Sequence, residues 1–436
     1  MQPPSRPGPA TEDLEVPLRP APVSAEIAVP GSKSIANRVL VCAALADGVS
    51  TITNVPDGDD TVAMVAGLRA LGLDVDSSTD RVTVPGGRID RPAHERTISA
   101  GLAGTTSRFK TAVSALGSSP VTIDGDPPLR ARPFGPLHEA LTQLGVAVAA
   151  VDGVGRLPAT VSGPPRNGRA EVRGDVSSQY VSALMMIGPY LPGGLELSLS
   201  TPLVSRPYVE LTAATMAWFG IHDVEISDSS IRVGRGRYEA TEVSVEPDAS
   251  SASYPLAIAA VCGGEVTVPG LGTGALQGDA RFADLLAQMG CTVDRTQGSV
   301  LVGSVGPLHG IDVDMADVSD LVPTLAVVAA FATTPTTIRG VGFIRAKESD
   351  RLGDLTAELR RAGVQVSATD DGLAIDPSAD RCHGARLATH HDHRLAMAFG
   401  VLGARVGGIE IEQPDVVSKS WPGFWEAMDT AFGRVR

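Results

Sequence analysis

Several loops of this 436-residue chain carry cations at points where a helix is predicted to begin. The segment PGSKSIANR places Lys33, Ser34 and Arg38 at one helix start, and IRAKESDRL places Lys347 and Arg351 at another turn. Comparable loops contribute Arg132, Arg394 and Lys419. A helix N-terminus already carries partial positive charge, so cations there are unfavourable unless an anion binds between them and the helix end. These residue types therefore predict binding of small anionic molecules.

Two acidic residues stand among these cations. Asp320, in DVSDLVPTLAVV, precedes a strongly apolar helix, where it would serve either as an N-cap or as a general base. Glu348 precedes Arg351 by three residues, a spacing typical of an ion pair on a helix surface. Both residues therefore have a purely structural explanation beside any chemical one.

Three familiar binding motifs are absent or weak. The string GSKS at 31–34 lacks the G-x-x-x-x-G-K-[ST] pattern of a phosphate-binding P-loop. Gly270, Gly272 and Ala275 match a dinucleotide fingerprint weakly, and the equivalent turns elsewhere have no such glycines. Three histidines within residues 390–393 suggest a metal site, but no second Cys/His cluster supplies further ligands. We therefore expect neither a metal nor a dinucleotide.

Composition limits the class of protein further. With 50 acidic and 36 basic residues the net charge is −14, which argues against nucleic acid as a partner. No stretch approaches the ~18 apolar residues of a membrane span. The four cysteines stand apart, which suits a reducing cytoplasm and predicts buried, unreactive thiols. Residues 1–22 are rich in proline without an apolar run, so we expect a flexible leader and not a signal peptide.

A structural repeat runs through the chain. Predicted helices end on glycine at intervals of 70 to 75 residues, at Gly72, Gly145, Gly220, Gly290, Gly363 and Gly433. Glycine after the last helical turn is the usual left-handed cap. Each unit reads as strand, helix, strand, helix and a final strand or hairpin.

Six such units predict an α/β (α+β) protein of two similar domains, with three units in each and a cleft between them. The chain is expected to cross between the domains near Pro30 and Pro247. One domain would then contain 23–30 plus 247–436, and the other would contain 31–246. An N-terminal strand would thus join the C-terminal half of the chain.

Nine short segments occur in a characteristic order: PGSKSIANR, LAGTTSR, RARP, SSQYVSALMM, SRPY, DASSASYPLA, AKESDRL, HDHRLAM and VSKSWP. Together they resemble the 5-enolpyruvylshikimate-3-phosphate synthase family. The resemblance implies three βαβαββ units per domain around inward-facing helices, an inside-out α/β barrel, which agrees with the repeat. It also implies transfer of the enolpyruvyl group of phosphoenolpyruvate to the 5-hydroxyl of 3-phosphoshikimate, with release of phosphate and without a cofactor.

The resemblance also implies three groups of site residues. The 3-phosphoshikimate ligands would be Lys33, Ser34, Arg38, Ser177, Ser178, Gln179, Ser205, Tyr208, Asp320 and Lys347. The phosphoenolpyruvate ligands would be Lys33, Gly104, Thr105, Arg132, Gln179, Arg351, Arg394 and Lys419. The catalytic residues would be Asp320 as base for the 5-hydroxyl, Glu348 as acid and base at the methylene carbon, and Lys33.

Two residues depart from the family's pattern. Leu102 stands where many members have asparagine, and Phe343 stands where a polar residue is expected. These departures keep open a paralogous transferase that acts on a modified shikimate. A transferase for UDP-N-acetylglucosamine is a second alternative, although LRARPF lacks the cysteine of that family's mobile loop. A non-catalytic anion-binding protein on the same scaffold is the third.

The expected partners are therefore small anionic substrates, with no nucleic acid and no membrane. We expect a monomeric cytoplasmic enzyme whose two domains close when substrate binds, because predicted ligands occur in both halves of the chain. Planar guanidinium groups match the carboxylate and phosphate of phosphoenolpyruvate better than ammonium groups do, which explains the three arginines in that ligand set.

Overall fold

A computed structural model of the chain describes residues 12–19, 22–78, 81–87, 96–151, 153 and 155–433. Its strands are β1 (Leu14–Glu15), β2 (Val23–Glu26), β3 (Val49–Thr53), β4 (Asp76–Ser77), β5 (Arg81–Pro85), β6 (Arg96–Ser99), β7 (Val121–Asp124), β8 (Ala147–Ala150), β9 (Ala159–Ser162), β10 (Arg169–Val172), β11 (Leu195–Leu199), β12 (Val224–Ile226), β13 (Ser230–Val233), β14 (Glu242–Ser244), β15 (Gly264–Pro269), β16 (Thr292–Arg295), β17 (Ser299–Ser304), β18 (Asp312–Asp314), β19 (Thr336–Arg339), β20 (Gln365–Ala368), β21 (Leu373–Asp376), β22 (Ala385–Leu387) and β23 (Ile409–Ile411).

Its α-helices are α1 (Lys33–Leu45), α2 (Asp59–Ala70), α3 (Gly104–Ser114), α4 (Pro127–Arg130), α5 (Gly135–Gln143), α6 (Ser178–Ile187), α7 (Arg206–Trp218), α8 (Ala249–Cys262), α9 (Phe282–Gln288), α10 (Val322–Ala329), α11 (Gly353–Arg361), α12 (His393–Val406) and α13 (Phe424–Phe432). Short 3-10 turns lie at Gly188–Tyr190, Gly278–Arg281, Ser319–Leu321, Gly342–Ala346 and Pro414–Lys419.

In the described part of the chain the strands form six small sheets, and the five four-stranded ones share one topology. An edge strand pairs in parallel with the second strand, and a hairpin adds two antiparallel strands. In one example β6 pairs in parallel with β7, β7 pairs antiparallel with β9, and β8 pairs antiparallel with β9. The predicted βαβαββ units, and with them the predicted fold class, are confirmed.

Two sheets take their parallel edge strand from a distant part of the chain. β2 pairs with β15, with Val23 opposite Gly264. β14 pairs with β3, with Glu242 opposite Thr51. An N-terminal strand therefore completes a sheet of the C-terminal repeats, and the strand before α8 completes a sheet of the N-terminal repeats.

The six repeat glycines adopt the conformation that their positions predict. Each has a positive φ, between 70° and 105°: Gly72, Gly145, Gly220, Gly290, Gly363 and Gly433. Residues with a Cβ rarely adopt this left-handed conformation. At the first five of these glycines the conformation lets the chain leave a helix and turn toward the next strand, and this explains the regular occurrence of glycine.

The chain separates into two compact units. The C-half unit contains the described residues before Pro30, then Ala249–Ala275 and the described residues from Asp279 onward. The N-half unit contains Pro30–Asp248 and Leu276–Gly278. The principal divisions lie within two residues of the crossing points expected from the sequence.

The segment Leu276–Gly278 belongs to the N-half unit because of its hydrogen bonds. The Gln277 side chain donates to the carbonyl oxygen of Pro247 at 2.6 Å and to the Glu246 carboxylate at 3.1 Å. The backbone amide of Leu276 donates to the same carboxylate at 3.1 Å. The sequence places this segment with its chain neighbours in the other domain, whereas these side-chain contacts decide otherwise.

Each unit is organised around three helices that are buried on nearly every side. In the C-half unit these are α8, α10 and α12, which pack on one another, and every residue of α8 and α10 is buried. In the N-half unit they are α1, α3 and α6. Although these helices are apolar, none in the described chain has the length and apolar character needed to cross a membrane. Because their sides are covered, their ends are where polar side chains can meet a ligand.

Residues 12–19 form part of the C-half unit and do not form a flexible leader. β1 pairs antiparallel with β23, with Leu14 opposite Ile411. This contact completes the sixth sheet, which contains only β1, β23 and β22 among the described strands. The prediction of a flexible leader over 1–22 is therefore wrong for 12–19, while 1–11, 20 and 21 lie outside the described residues.

Packing explains why this segment is ordered. Val16 is buried, and a methyl group added at Gly403 of α12 would overlap its side chain. Arg19 is also buried and donates to the Asp429 carboxylate of α13 at 2.8 Å. Through β1 this segment adds an antiparallel strand to β23 of the last repeat.

The four cysteines are free, as predicted. Cys42, Cys262 and Cys291 are buried, and Cys382 is partly buried. Burial raises the pKa of the Cys42 thiol to about 12 and that of the Cys262 thiol to about 11. These thiols therefore remain protonated and unreactive near neutral pH.

We expect Val16→Ala to lower the free energy of unfolding by about 2 kcal/mol, because it removes two buried methyl groups and leaves a gap against Gly403. The matched control is Glu15→Gln, at an exposed position of the same segment. It should change stability by less than about 0.5 kcal/mol. Urea unfolding followed by circular dichroism measures both variants, and equal stabilities would contradict the role given to 12–19.

Candidate functional site

Lys33 is the first residue of α1 and is held from two sides. The Ser32 hydroxyl caps the helix by accepting a hydrogen bond from the amide of Ile35. The backbone amide of Lys33 donates to the Asp248 carboxylate at 3.2 Å, and its Nζ lies 3.2 Å from Oδ2 of Asp60. The ammonium group is thus oriented at the helix start, with its side chain 13% exposed.

The Arg38 guanidinium is buried one turn further along α1. It donates to the carbonyl oxygen of Ser34 and the hydroxyl of Thr212 at 2.8 Å, and to the hydroxyl of Ser182 and the carbonyl oxygen of Tyr208 at 3.1 Å. All four acceptors are neutral, and no described carboxylate forms a salt bridge with it. Burial lowers the pKa of Arg38 to about 10, so it stays charged at neutral pH. A buried cation held only by neutral groups is costly, and an anionic ligand would stabilise it.

The starts of three inner helices offer hydroxyl groups to a ligand. Ser177 caps α6 by accepting a hydrogen bond from the amide of Gln179. The adjacent Ser178 hydroxyl makes no hydrogen bond within the described chain, and the same holds for Ser34 of α1 and Thr105 of α3. The predicted ligands of α1, α3 and α6 therefore occupy equivalent positions in successive repeats.

Two arginines converge on the start of α3. Arg108 donates to Oε1 of Gln179 at 2.7 Å and to the carbonyl oxygen of Pro133 at 3.3 Å, and two aromatic rings flank its guanidinium. A methyl group added at Gly104 would lie 2.8 Å from Nη1 of Arg108 and 2.9 Å from Nη1 of Arg132. Glycine at this position therefore leaves room for both guanidinium groups at a helix N-terminus.

The start of α7 carries two further predicted ligands, Ser205 and Tyr208, and Tyr208 contacts Arg38. Ser205 precedes the helix and has a left-handed backbone with φ of 54°. Such a conformation is uncommon for a residue other than glycine and is often found at functional sites. The Tyr208 ring centroid lies 5.9 Å from the guanidinium carbon of Arg38.

In the C-half unit, six charged residues form what we call the Arg351 cluster: Asp320, Glu348, Asp392, Arg351, Arg394 and Lys419. Arg351 lies at its centre and is only 1% exposed. Its Nη1 donates to Asp320 at 2.8 Å, and its Nη2 donates to Glu348 at 2.6 Å. Its Nε donates to Asp392 at 2.6 Å. A single guanidinium therefore holds three carboxylates.

Asp320 and Glu348 each have a second cationic partner. Nη2 of Arg394 donates to Oδ2 of Asp320 at 2.6 Å. Nζ of Lys419 lies 3.0 Å from Oε1 of Glu348. The structure thus brings both predicted proton-transfer residues of this unit together with three predicted phosphoenolpyruvate ligands, and the formal charges of the cluster balance.

Electrostatics in the cluster favours the charged forms. Burial alone would raise the pKa of Asp320, but Arg394, Lys347 and Arg351 outweigh it and hold that pKa well below its ordinary value. Burial alone would lower the pKa of Arg351, but Asp392, Glu348 and Asp320 hold it well above its ordinary value. Asp320 is therefore ionised here, although a carboxylate so strongly stabilised is a weak proton acceptor.

The structure contradicts an N-cap role for Asp320 and a surface position for the ion pair of Glu348 with Arg351. Asp320 lies in the turn Ser319–Leu321 and does not cap α10, whose N-cap position is Leu321, because its carboxylate is bound by arginines. The Glu348 pair with Arg351 does form at the predicted spacing, but it is buried and not on the surface, since the Glu348 side chain is 13% exposed.

The departures from the family pattern have different surroundings. Nζ of Lys347 lies 5.7 Å from the ring centroid of Phe343, so an aromatic ring contacts the cation where a polar residue was expected. Leu102 is half-buried in the turn before α3.

Among the described residues no group of three His, Cys, Asp or Glu side chains could hold a metal ion, and His390 instead contacts Glu358 at 3.1 Å.

Four residues of these sites are not among the predicted site residues: Asp60, Arg108, Asp248 and Asp392. Asp392 carries a local signal, because it precedes an apolar helix in THHDHRLAM, and it does cap α12 by accepting from the amide of Arg394 at 2.9 Å. The contacts of the others join residues that are distant in sequence, so no local pattern predicts them.

Lys110 of α3 is a further buried cation of the N-half unit. It is 1% exposed, and its Nζ donates to the carbonyl oxygens of Ala63 at 2.9 Å and Ser99 at 3.3 Å. A methyl group added at Gly67 would overlap its side chain, so that glycine provides the space for it. Burial lowers the pKa of Lys110 to about 7, against the opposing effect of Asp60.

This pKa predicts a pH-dependent stability. Because the Lys110 pKa is about 7 in the folded chain and 10.5 ordinarily, the unfolded chain binds more protons between these values. Wild-type stability should therefore rise with pH relative to Lys110→Met, by up to ~1.4 kcal/mol per pH unit, and the difference should be constant at lower pH. Urea unfolding of both proteins between about pH 6 and 10 measures this. A difference that does not change with pH would contradict the buried position of the ammonium group.

Comparison with known proteins identifies the family of this chain. The profile of the family described as EPSP synthase (3-phosphoshikimate 1-carboxyvinyltransferase) matches residues 18–428. The chain is 44% identical over 409 residues to the 3-phosphoshikimate 1-carboxyvinyltransferase of Methanoculleus marisnigri, covering 93% of this chain and 96% of that protein. It is 41% identical over 411 residues to the enzyme of the same name from Methanosphaerula palustris, covering 93% and 96%.

Among solved structures, the chain is similar to the EPSP synthase of Acinetobacter baumannii, with a TM-score of 0.79 and 25% identity. That comparison covers 96% of this chain and 98% of the other. Since the family profile and the relatives span nearly the whole sequence, the chain belongs to the EPSP synthase family, the 3-phosphoshikimate 1-carboxyvinyltransferases.

Proposed function

We propose that this enzyme transfers the enolpyruvyl group of phosphoenolpyruvate to the 5-hydroxyl of 3-phosphoshikimate and uses the residues of the two sites described above. Family membership supports the reaction. The observation that carries the assignment of residues is the Arg351 cluster, in which two carboxylates suited to proton transfer contact three cations suited to a substrate's carboxylate and phosphate.

The N-half unit provides most of the ligands for 3-phosphoshikimate. The proposed set is Lys33, Ser34, Arg38, Ser177, Ser178, Gln179, Ser205 and Tyr208, with Asp320 and Lys347 of the C-half unit. Two observations support it: the Ser34 and Ser178 hydroxyls make no hydrogen bond within the described chain, and buried Arg38 is held only by neutral acceptors. An anionic, hydroxylated ligand would satisfy both.

The cations of the Arg351 cluster provide the main ligands for phosphoenolpyruvate. The proposed set is Arg351, Arg394 and Lys419, together with Lys33, Gly104, Thr105, Arg132 and Gln179. The close approach of Arg108 and Arg132 to Gly104 supports this set, because a helix N-terminus flanked by guanidinium groups favours an anion. Gln179 belongs to both sets, and Arg108 orients it.

The reaction is addition followed by elimination. Asp320 accepts the proton of the 5-hydroxyl as that oxygen bonds to C2 of phosphoenolpyruvate, and Glu348 donates a proton to C3. The resulting tetrahedral adduct collapses when Glu348 takes a proton back from the new methyl group and the bond from C2 to the phosphate oxygen breaks. Phosphate leaves and takes the proton that Asp320 had accepted, which restores the Asp320 carboxylate, and one enol ether is formed for each phosphoenolpyruvate consumed. General acid–base catalysis of this kind contributes ~10²–10⁴-fold in rate.

The related alternatives have less support. The loop LRARPF has no cysteine, unlike the transferases that act on UDP-N-acetylglucosamine, and relatives at up to 44% identity carry the 3-phosphoshikimate name. A modified shikimate as acceptor rests on Leu102 and Phe343 alone. Phe343 contacts Lys347, which is a proposed ligand and not a proposed proton-transfer residue.

The proposal includes a monomeric enzyme in the cytoplasm. Three buried cysteines and a fourth that is partly buried, none of them in a disulfide, suit a reducing compartment. Size-exclusion chromatography with light scattering measures the oligomeric state directly.

The wild-type protein should release phosphate when 3-phosphoshikimate and phosphoenolpyruvate are both present, without added metal or nucleotide. A coupled phosphate assay measures the rate, and mass spectrometry identifies the enol ether. Omission of either substrate is the control. The assignment would be overturned if phosphate appeared only when UDP-N-acetylglucosamine replaced 3-phosphoshikimate.

Gly104→Ala should raise KM for phosphoenolpyruvate by about tenfold or more, because the new methyl group displaces Arg108 and Arg132 from the helix start. KM for 3-phosphoshikimate should change less. The matched control is Gly135→Ala at the start of α5, where an added methyl group meets no atom nearer than 3.8 Å. Steady-state kinetics with each substrate varied gives the comparison, and equal KM values in the two variants would count against this role of Gly104.

A further inference from the structure

The Arg351 cluster contains two kinds of carboxylate. The Asp392 side chain is 0% exposed, whereas those of Asp320 and Glu348 are 18% and 13% exposed. Solvent therefore reaches the outer two carboxylates and, to a lesser extent, Arg394 and Lys419, whose side chains are each 8% exposed, but it does not reach Asp392.

The hydrogen bonds of Asp392 fix it to the fold. It accepts from Nε and Nη2 of Arg351 at 2.6 and 3.3 Å, from the hydroxyl of Ser349 at 3.2 Å and from the amide of Arg394 at 2.9 Å. The last bond caps α12. Moving this carboxylate would leave buried donors unsatisfied and uncap a helix, which is costly.

The outer carboxylates are placed differently. The strong hydrogen bonds and salt bridges of Asp320 and Glu348 described above join them to side chains of Arg351, Arg394 and Lys419. These three side chains are among the proposed phosphoenolpyruvate ligands. In this structure, therefore, the proposed proton-transfer groups occupy the donors that the substrate's own carboxylate and phosphate require.

We propose that Asp320 and Glu348 are exchangeable internal competitors for the anion site, while Asp392 is the permanent partner that positions Arg351. This inference rests on the proposed function and adds a regulation of that site. An arriving substrate anion takes donors from Asp320 and Glu348, and those carboxylates become stronger proton acceptors once they lose cationic partners. Binding of phosphoenolpyruvate thus activates the groups that act on it, and the free enzyme holds them inactive.

The proposal predicts opposite effects for the two kinds of carboxylate. A competitor that occupies the site lowers the apparent affinity for any other anion, so its neutralisation should strengthen anion binding. Asp320→Asn and Glu348→Gln should each bind inorganic sulfate about fivefold more tightly or better, although both should lose turnover. Asp392→Asn should bind sulfate less tightly by a similar factor, because Arg351 loses its permanent partner.

The experiment is calorimetric titration of the full-length protein and each variant with sulfate, which is divalent near neutral pH and does not react. A fixed chloride concentration keeps screening constant. Repeating Asp320→Asn in an Arg394→Met background tests whether Arg394 is the donor for which Asp320 and sulfate compete. Without the Arg394 guanidinium, Asp320→Asn should no longer increase the affinity for sulfate. Ser349→Ala provides a second test of the permanent partner, since it removes one supporting bond without removing a charge, and it should weaken sulfate binding in the same direction as Asp392→Asn.

Unchanged or weaker sulfate binding by Asp320→Asn and Glu348→Gln would overturn the competition. Tighter binding by folded Asp392→Asn or by Ser349→Ala would overturn the permanent role of Asp392. Melting curves establish that each variant is folded before titration. The sulfate data stand apart from the phosphate-release assay with wild-type protein, so failure of the proposed function and failure of this inference give different results.

Discussion

The structure depends on the burial of six helices along almost their whole length. A helix covered on every side can present functional groups only at its ends, and its N-terminal end has unpaired amide donors and partial positive charge. In α1, α3 and α6 of one unit, and around α10 and α12 of the other, most predicted ligands lie at or just before the first turn, and Arg38 lies one turn further along α1. The βαβαββ repeat therefore determines where chemistry can occur, whereas the side chains at each start determine which chemistry it is.

The two units stabilise buried arginines in different ways. Arg38 donates to neutral oxygens, and burial lowers its pKa to about 10. Arg351 is as deeply buried, but three carboxylates hold its pKa above the ordinary value. A ligand can add to the first arrangement, because the acceptors that Arg38 contacts among the described residues are neutral. In the second arrangement a ligand must compete with internal carboxylates, which connects substrate binding to the protonation chemistry of Asp320 and Glu348.

Much of the fold follows from local signals. Glycines at a regular spacing predict the turns from helix to strand, and the structure gives each of them a left-handed φ. Strand and helix patterns predict the βαβαββ unit, and the sheets have that topology. The strand β1 could not be predicted, because its two residues have no alternating pattern. Its position depends on pairing with β23 and on the packing of the next residue, Val16, against Gly403 of α12. The attachment of Leu276–Gly278 to the N-half unit depends likewise on side-chain hydrogen bonds to Glu246 and Pro247.

For the site, the sequence by itself determined the chemical types at each helix start, because caps, glycines and charged loops are local features of the chain. It determined that Asp320, Glu348 and Arg351 occur near helix starts, but it left an N-cap and a surface ion pair as alternatives. Only the tertiary structure decided that these residues form one buried cluster with Asp392, and that Lys33 contacts Asp60. The reason is physical. The groups within a few ångströms of a charged side chain determine its partners, its pKa and its accessibility, and folding brings those groups together from distant parts of the chain.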